Sequence, residues 1–281
     1  MSKLLATDLD GTLFYPKKRI RMINKKSLSF IRRFIDAGNN LVLVSGRNSE
    51  YLLKVVRRIA RPVDVIGCNG AFILANNKYI RDEKFDPERT KEALLEIEKT
   101  LPVKGFFVMS DDNRFVCREK FHSFIYRIAY SFWNFFQGVY REPSIPSKMQ
   151  FNDIINQGKA RKIMIFFGVG KKNVLRSKES NKIINKKYND IFEASWSNEF
   201  IELSPKGCFK SEGLKYYSDY ININHSDVYV VGDSGNDISM FKEFPDNSFC
   251  MSHASLSVSK YAMHVIKRFD EVEKFIEYER K

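Results

Sequence analysis

The chain alternates short uninterrupted apolar runs with longer segments whose apolar positions recur at helical spacing. Leu4 to Ala6 with Leu9 make the first run, carry no helical cap and stop at Gly11, which predicts a buried strand feeding a tight turn. From Asn24 to Ala37, Leu28, Ile31, Phe34 and Ile35 share one helical face, and Gly38 follows as a C-cap. Asn40 to Val44 is a second apolar strand, Ser49 to Ala60 a helix through Leu52, Leu53, Val56 and Ile59, and Pro62 to Gly67 a third strand. Strands alternating with amphipathic helices predict a parallel sheet covered on both faces.

From about Tyr79 the pattern changes. A mainly acidic helix (Pro87 to Thr100) leads into strands Lys104 to Ser110 and Arg114 to Arg118, a hairpin around Asp111, Asp112 and Asn113. An aromatic helix (Phe121 to Phe136), a loop holding Pro143 and Pro146, a strand (Lys162 to Phe167), a basic helix (Asn173 to Lys187) and strands near Phe192 and Phe200 follow. Beyond about Glu202 the first pattern returns: helix Ser211 to Ser218, strand Val228 to Val231, helix Ile238 to Phe244, strand Ser248 to Met251 and helix Asp270 to Tyr278. The expected architecture is an α/β, Rossmann-like parallel-sheet core domain, residues 1–81 and 196–281, with an α+β domain inserted as residues 82–195.

Composition narrows the class of protein. Hydrophobic content of 43%, with 24 Phe and 13 Tyr, supplies enough apolar surface for two cores and excludes disorder. The net charge of +13 is spread over both expected domains rather than gathered in a basic arm, so nucleic-acid binding is not expected. Two local concentrations stand out: Lys17 to Arg33 has eight bases and no acid, and Lys159 to Lys187 has ten bases with only Glu179 opposing them. Each is read either as a solvated face or as a field that steers an anionic substrate such as a phosphate ester. Cys68, Cys117, Cys208 and Cys250 make no CxxC pair, so neither a zinc site nor a disulfide framework is expected. Phe121 to Tyr140 is broken by Arg127, Asn134 and Gln137, and no cationic leader precedes an apolar core. A soluble cytoplasmic protein without a membrane partner is the expectation.

The candidate chemistry lies where strands end. In an open parallel sheet the C-terminal strand edge is the ligand edge, and Asp8 and Asp10 lie there. Val230 to Asp237, VVGDSGND, follows another apolar strand and brings Asp233 and Asp237 to the same edge. Four carboxylates around one point repel unless a cation lies among them, and a hard dication is the natural partner. The competing reading of both segments is an Asp- and Gly-rich turn. Strand two delivers Ser45, Gly46 and Arg47, whose hydroxyl and backbone N–H groups suit phosphate oxygens. A helix N-cap at Ser45 or Asn48 is the competing reading there. Ser204 to Leu214, SPKGCFKSEGL, offers Lys206 and Lys210 just before a helix, where a lysine would neutralise charge on the carboxylates and on an attacked phosphoryl group.

These four segments, in this order, resemble motifs I to IV of the haloacid dehalogenase (HAD) superfamily. The insertion between the second and third resembles the type IIB cap of the Cof-like sugar-phosphate phosphatases. The resemblance covers nearly the whole chain; DLDGTL and GDSGND are its specific parts, and the cap matches only in size and element order. It implies an Mg²⁺-dependent phosphatase of a small phosphorylated metabolite, working through an aspartyl-phosphate. Asp8 would be the nucleophile, Asp10 the general acid/base, Ser45 the phosphate-binding hydroxyl and Lys210 the motif III lysine. Lys210 rather than Lys206 fits the family pattern P-x-G-x-x-K. Asp8, the Asp10 carbonyl and Asp233 would hold Mg²⁺ with Asp237 in support, and Thr12, Gly46, Arg47 and Asn236 would contact substrate. Ser45 replaces the more usual threonine, and Met251 to Ser255, MSHAS, departs from the family's Gly-Asn-Ala. The family's late Glu-Asp-Gly is also missing before Val272. A phosphomutase on the same scaffold is the nearest alternative reading; a non-catalytic basic protein that binds nucleic acid through Lys17 to Arg33 and Lys159 to Lys187 is the other, and it would not need four convergent carboxylates.

Overall fold

The computed structural model describes residues 2–16, 23–119 and 145–278. Residues 1–82 give β1 (Leu4–Thr7), α1 (Lys25–Asp36), β2 (Asn40–Val44), α2 (Ser49–Ile59), β3 (Asp64–Gly67), β4 (Phe72–Ala75) and β5 (Lys78–Asp82). Then come α3 (Pro87–Thr100), β6 (Gly105–Ser110), β7 (Phe115–Glu119), β8 (Ile145–Pro146), α4 (Lys148–Asn156), β9 (Ala160–Phe166), α5 (Lys171–Lys187), β10 (Phe192–Ser197) and β11 (Phe200–Pro205). The chain closes with α6 (Lys210–Tyr220), β12 (Val228–Gly232), α7 (Ile238–Glu243), β13 (Ser248–Met251), α8 (Leu256–Ser259) and β14 (His264–Ile266).

The described residues gather into two compact units, one from 2–16, 23–81 and 209–278, the other from 82–119 and 145–208. In the first, eight strands run in the order β14-β13-β12-β1-β2-β3-β4-β5. All neighbours from β14 to β3 are parallel, and β4 turns antiparallel to β3. Every residue of β1 is buried, as a central strand covered on both faces requires. On one face, Leu4, Ala6, Val42, Val44 and Val230 pack with Leu214 and Tyr217 of α6 and with Met240 and Phe241 of α7. Phe30, Ile31 and Phe34 of α1 are fully buried as well, the amphipathic stripe doing what its spacing implies. Because the central strands are parallel, β1, β2 and β12 end at one edge; the candidate aspartates, Thr12, Ser45, Gly46, Arg47 and Asn236 follow those ends, and Lys210 comes from the start of α6.

The second unit is a six-stranded sheet, β10-β11-β9-β6-β7-β8, antiparallel except for the short β7–β8 pair. Leu94 and Ile97 of α3, Phe151 and Ile154 of α4 and Ile184 of α5 make one core with alternate residues of β6, β9 and β11, such as Val108, Ile163 and Leu203. The hairpin expected around Asp111 to Asn113 is present, with Asn113 at positive φ.

Several elements differ from the sequence expectation. The pattern change at Tyr79 is an edge hairpin of the first sheet, β4 and β5 joined by Asn76 and Asn77, both at positive φ as a two-residue turn demands. Residues 196–208 belong with the second unit, because β10 and β11 pair with each other along their whole length and β11 pairs with β9. Between Pro146 and the next strand, where only a loop is expected, lies the helix α4, capped by Ser147, which accepts from the Gln150 N–H. Residues Asp270 to Tyr278, expected as an α-helix, instead follow a tighter 3-10 turn from Phe269 to Lys274, whose i, i+3 pair Phe269 and Val272 is buried. The expected aromatic helix Phe121 to Phe136 lies outside the described residues, as do residues 17–22 of the first basic run. Among the described residues no helix is long and apolar enough to cross a membrane.

Candidate active site

The site begins where β1 ends. Asp8 continues the strand pairing, its N–H donating to Val231 O at 3.0 Å, and the residue is 5% exposed. The chain then folds into a tight loop from Leu9 to Leu13, broken by Asp10 in an extended conformation and by Gly11 at φ +89°. A Cβ on Gly11 would lie 2.3 Å from Asp233 Oδ2, so the motif's glycine serves both the turn and the close approach of a carboxylate.

Lys210 lies at the start of α6 and is 1% exposed. Its Nζ donates to Asp8 Oδ1 and to Asp237 Oδ1, both at 2.7 Å. The helix start is fixed by a glycine contact: a Cβ on Gly70, at φ +100°, would lie 2.2 Å from Phe209 O. Asp237 is fully buried, and its second oxygen accepts from the N–H groups of Asp233 and Ser234 at 2.9 Å and from Ser234 Oγ at 3.1 Å. Asp237 thus ties the β12 loop together and anchors the lysine. Asp233 Oδ1 accepts from Thr12 Oγ1 at 2.9 Å, and Asp233 Oδ2 lies 3.3 Å from His253 Nε2.

Asp8, Asp233 and Asp237 each offer a carboxylate oxygen within 4.8 Å of the others. Three carboxylates face one lysine. Burial, joined by the charges of Asp237 and Asp233 and opposed by Lys210, pushes the Asp8 carboxyl well above its usual range. Burial and Asp237 also raise Asp233. Burial works against the Lys210 charge, but Asp237 and Asp8 outweigh it and hold the ammonium protonated above the usual lysine range. The residual negative charge and the all-oxygen donor set fit a hard divalent cation. The Cys250 thiol nearby is pushed up to about 12 by burial and by Asp233 and Asp237, so it is inert as a nucleophile.

The expected four-carboxylate cluster holds three. Asp10 turns its carboxylate away to Arg47, whose Nε donates to Asp10 Oδ2 at 2.9 Å while its guanidinium stacks 4.9 Å from the Tyr51 ring centre. The tight turn from Leu9 to Leu13 breaks the extended alternation that would have aimed both side chains one way. Ser45 is buried at the end of β2, and Asn48 rather than Ser45 caps α2, accepting from the Tyr51 N–H at 3.0 Å. Gly46 follows, half-buried, in the same loop. Lys206 is exposed and pairs with Glu193 at 2.8 Å. Asn236 accepts from Ser234 Oγ at 2.7 Å and donates to Asn69 Oδ1 at 3.3 Å.

Three neighbours of the site escaped the sequence reading. Asn69, at φ 58°, is buried beside Asn236, and its N–H donates to Ser45 O at 3.1 Å. The Asn-Gly pair after a strand is a turn signal that points to it. His253 and Tyr15 carry no such local signal.

A buried carboxylate bound to a lysine, with two more carboxylates beside it at the C-terminal edge of a parallel sheet, defines a Rossmann-like α/β enzyme with an acid-cluster site. The chain belongs to the haloacid dehalogenase-like hydrolases, in their Cof-like branch: the family's sequence model matches residues 5–276. It is 22% identical over 259 residues to the 5-amino-6-(5-phospho-D-ribitylamino)uracil phosphatase YbjI of Escherichia coli, covering 91% of this chain and 87% of that one. It is 25% identical over 265 residues to the phosphoglycolate phosphatase of Thermoplasma volcanium, covering 92% and 89%. In fold it is similar to a crystal structure from Thermotoga maritima, with TM-score 0.76 and 20% identity over 100% of this chain and 99% of the other. A HAD subclass IIB sugar phosphatase superposes with TM-score 0.73 and 19% identity, over 96% and 95%.

Proposed function

We propose that this hydrolase removes phosphate from a small phosphorylated metabolite, a sugar phosphate or a similar phosphomonoester, with Asp8 as the nucleophile. Its class is that of the phosphoric monoester hydrolases, in keeping with relatives that are phosphatases. The observation that carries the reading is the Lys210 bridge from Asp8 to Asp237 at 2.7 Å on each side. Lys210 holds one Asp8 oxygen and leaves the other to attack phosphorus in line. Its positive charge also counters the charge that builds on the phosphoryl oxygens.

Asp10 lies outside the three-carboxylate cluster; Arg47 holds its Oδ2, and Oδ1 is the oxygen assigned to proton transfer. It gives a proton to the leaving alkoxide, then takes one from the water that hydrolyses the aspartyl-phosphate on Asp8. Ser45, the Gly46 N–H and Arg47 lie on the loop after β2 and suit the remaining phosphate oxygens. Thr12 holds Asp233, and Asn236 braces the loop through Asn69, so both support the site's walls. Asp8, Asp233 and the Asp10 carbonyl would hold Mg²⁺, with Asp237 in support through the loop it ties. The bound cation supplies charge neutralisation at the phosphoryl oxygens. The second unit is the cap that selects the substrate.

The test is a panel of phosphorylated metabolites assayed for inorganic phosphate release with Mg²⁺ and with excess EDTA. Release that requires the cation is expected. Undiminished turnover in EDTA would refute the cation requirement. Transfer of phosphate to a second alcohol without release would favour the phosphomutase alternative.

A further inference from the structure

We propose that Tyr15 and His253 form a clamp that positions Asp233 for a divalent cation, which makes His253 a positioning residue of this site. The inference rests on the cation-assisted reading above and extends it to two residues outside the four motif segments. The rings of Tyr15 and His253 stack with centroids 4.0 Å apart and planes 23° from parallel. At its Nε2 edge, His253 reaches Asp233 Oδ2 at 3.3 Å, where an N–H donates to the carboxylate. Tyr15 is tied into the nucleophile loop by its own N–H, which donates to Thr12 O at 3.1 Å, and Thr12 Oγ1 donates to the other Asp233 oxygen at 2.9 Å.

Three turns therefore meet on one carboxylate: the turn after β1, the loop after β12 and the turn after β13. The last is itself closed, with the Ala254 N–H donating to Met251 O at 3.0 Å and the Ser252 N–H donating to Ile266 O at 2.8 Å. Among the described residues Thr12 and His253 are the side-chain donors to Asp233, so without His253 its Oδ2 has no side-chain donor to orient it. Each carboxylate oxygen keeps a second lone pair, so the two donors orient Asp233 and still leave acceptor capacity for a cation. Partners that orient a ligand in this way typically contribute 10- to 100-fold to metal affinity. The aromatic stack supplies the rigidity, since a histidine alone on a turn would sample several rotamers.

The experiment is calorimetric titration of Mg²⁺ into the metal-free full chain, with the melting temperature of each metal-free variant measured alongside. His253→Ala should weaken Mg²⁺ binding about 10-fold, and His253→Asn, which keeps an N–H donor, should lose less. Tyr15→Phe keeps the stack and should match the parent, whereas Tyr15→Leu should lose several-fold. Metal-free melting temperatures near the parent's would separate positioning from a general loss of structure. Unchanged or tighter Mg²⁺ binding by a folded His253→Ala protein would overturn the clamp, tighter binding marking His253 as a competitor of the cation. Should His253→Ala fail to fold, equal binding by Tyr15→Phe and Tyr15→Leu would overturn it. A parent chain that binds no Mg²⁺ defeats the cation-assisted reading and the clamp together; a parent that binds beside unaffected variants defeats the clamp alone.

Discussion

The two units bury charge in opposite ways. In the second, each buried cation among the described residues meets an acid: Arg161, 2% exposed, pairs with Asp82 at 2.6 Å, and Lys162 pairs with Glu202 at 2.9 Å. Burial alone would raise the Asp82 carboxyl, but Arg161 and Lys84 outweigh it and hold that carboxyl below the usual range. At the candidate active site of the first unit, Asp8, Asp233 and Asp237 face Lys210, and burial raises Asp8 and Asp233. Buried pairs that balance are compatible with a structural role, since their desolvation is offset locally. A buried cluster with excess charge of one sign is costly to the fold and is retained where chemistry needs it. The imbalance, rather than burial or pairing as such, separates the reacting region from the scaffold.

The largest expected effect breaks the comparison at the nucleophile. Asp8→Asn should cost roughly 10⁴-fold or more in turnover, because an amide is a poor nucleophile. The near-isosteric side chain should leave the circular dichroism spectrum unchanged. Asp10→Asn removes proton transfer and the charge that pairs with Arg47, and should lose roughly 10² to 10⁴-fold in turnover. Trapping the phosphate mimic beryllofluoride on a residue other than Asp8 would reassign the nucleophile.

Stability should distinguish the units next. Lys210→Met leaves Asp8 and Asp237 buried without their shared cation and should destabilise by about 3–5 kcal/mol. Added Mg²⁺ should recover part of the loss. The double change Lys162→Met with Glu202→Leu removes a balanced pair and should be near neutral or stabilising in urea unfolding. Equal losses from the two would mean that charge imbalance does not set the regions apart.

Titration sharpens the contrast further. In the metal-free protein Asp8 and Asp233 bind protons more tightly than in the unfolded chain. Their contribution to stability is therefore greatest at acid pH and is lost as pH rises through their raised folded values. Asp112, in the hairpin turn of the second unit, behaves oppositely. Burial would raise it, but hydrogen bonds from Arg114 and Ser110 bring it down to about 2. Its contribution is present above the ordinary carboxylate value and is lost as pH falls toward about 2. Carboxyl NMR titration of the metal-free protein should show midpoints displaced in these two directions, and a shared midpoint would contradict the contrast.

The smallest effect concerns long-range field. Lys178, Lys182 and Lys186 lie exposed on the basic helix α5. Reversing their charge should lower kcat/KM for an anionic substrate a few-fold at low ionic strength, with kcat nearly unchanged and the difference fading in salt. Equal kcat/KM at low salt would leave these lysines with solvation alone.

What the sequence determined by itself is what local chemistry controls. Apolar runs stopped by glycine placed Asp8 and Asp233 just past strand ends, and parallel strands bring such ends to one edge. Helical spacing marked α1, α2 and α3, and the DLDGTL, GDSGND and PKGCFK segments carried the family resemblance. Tertiary structure decided which of the delivered groups meet. Asp10 follows Asp8 by two residues, yet its loop conformation sends the carboxylate to Arg47, thirty-seven positions away. Lys210 reaches Asp8 because Gly70 lets the start of α6 pack closely against the turn after β3, a contact between residues distant in the chain. His253 joins Asp233, and Asn69 joins Asn236, through turns whose approach no single stretch of sequence specifies. Periodicity and turn residues encode how a segment folds on itself, whereas the pairing of buried polar groups is settled only when the segments pack and each must find a partner out of water.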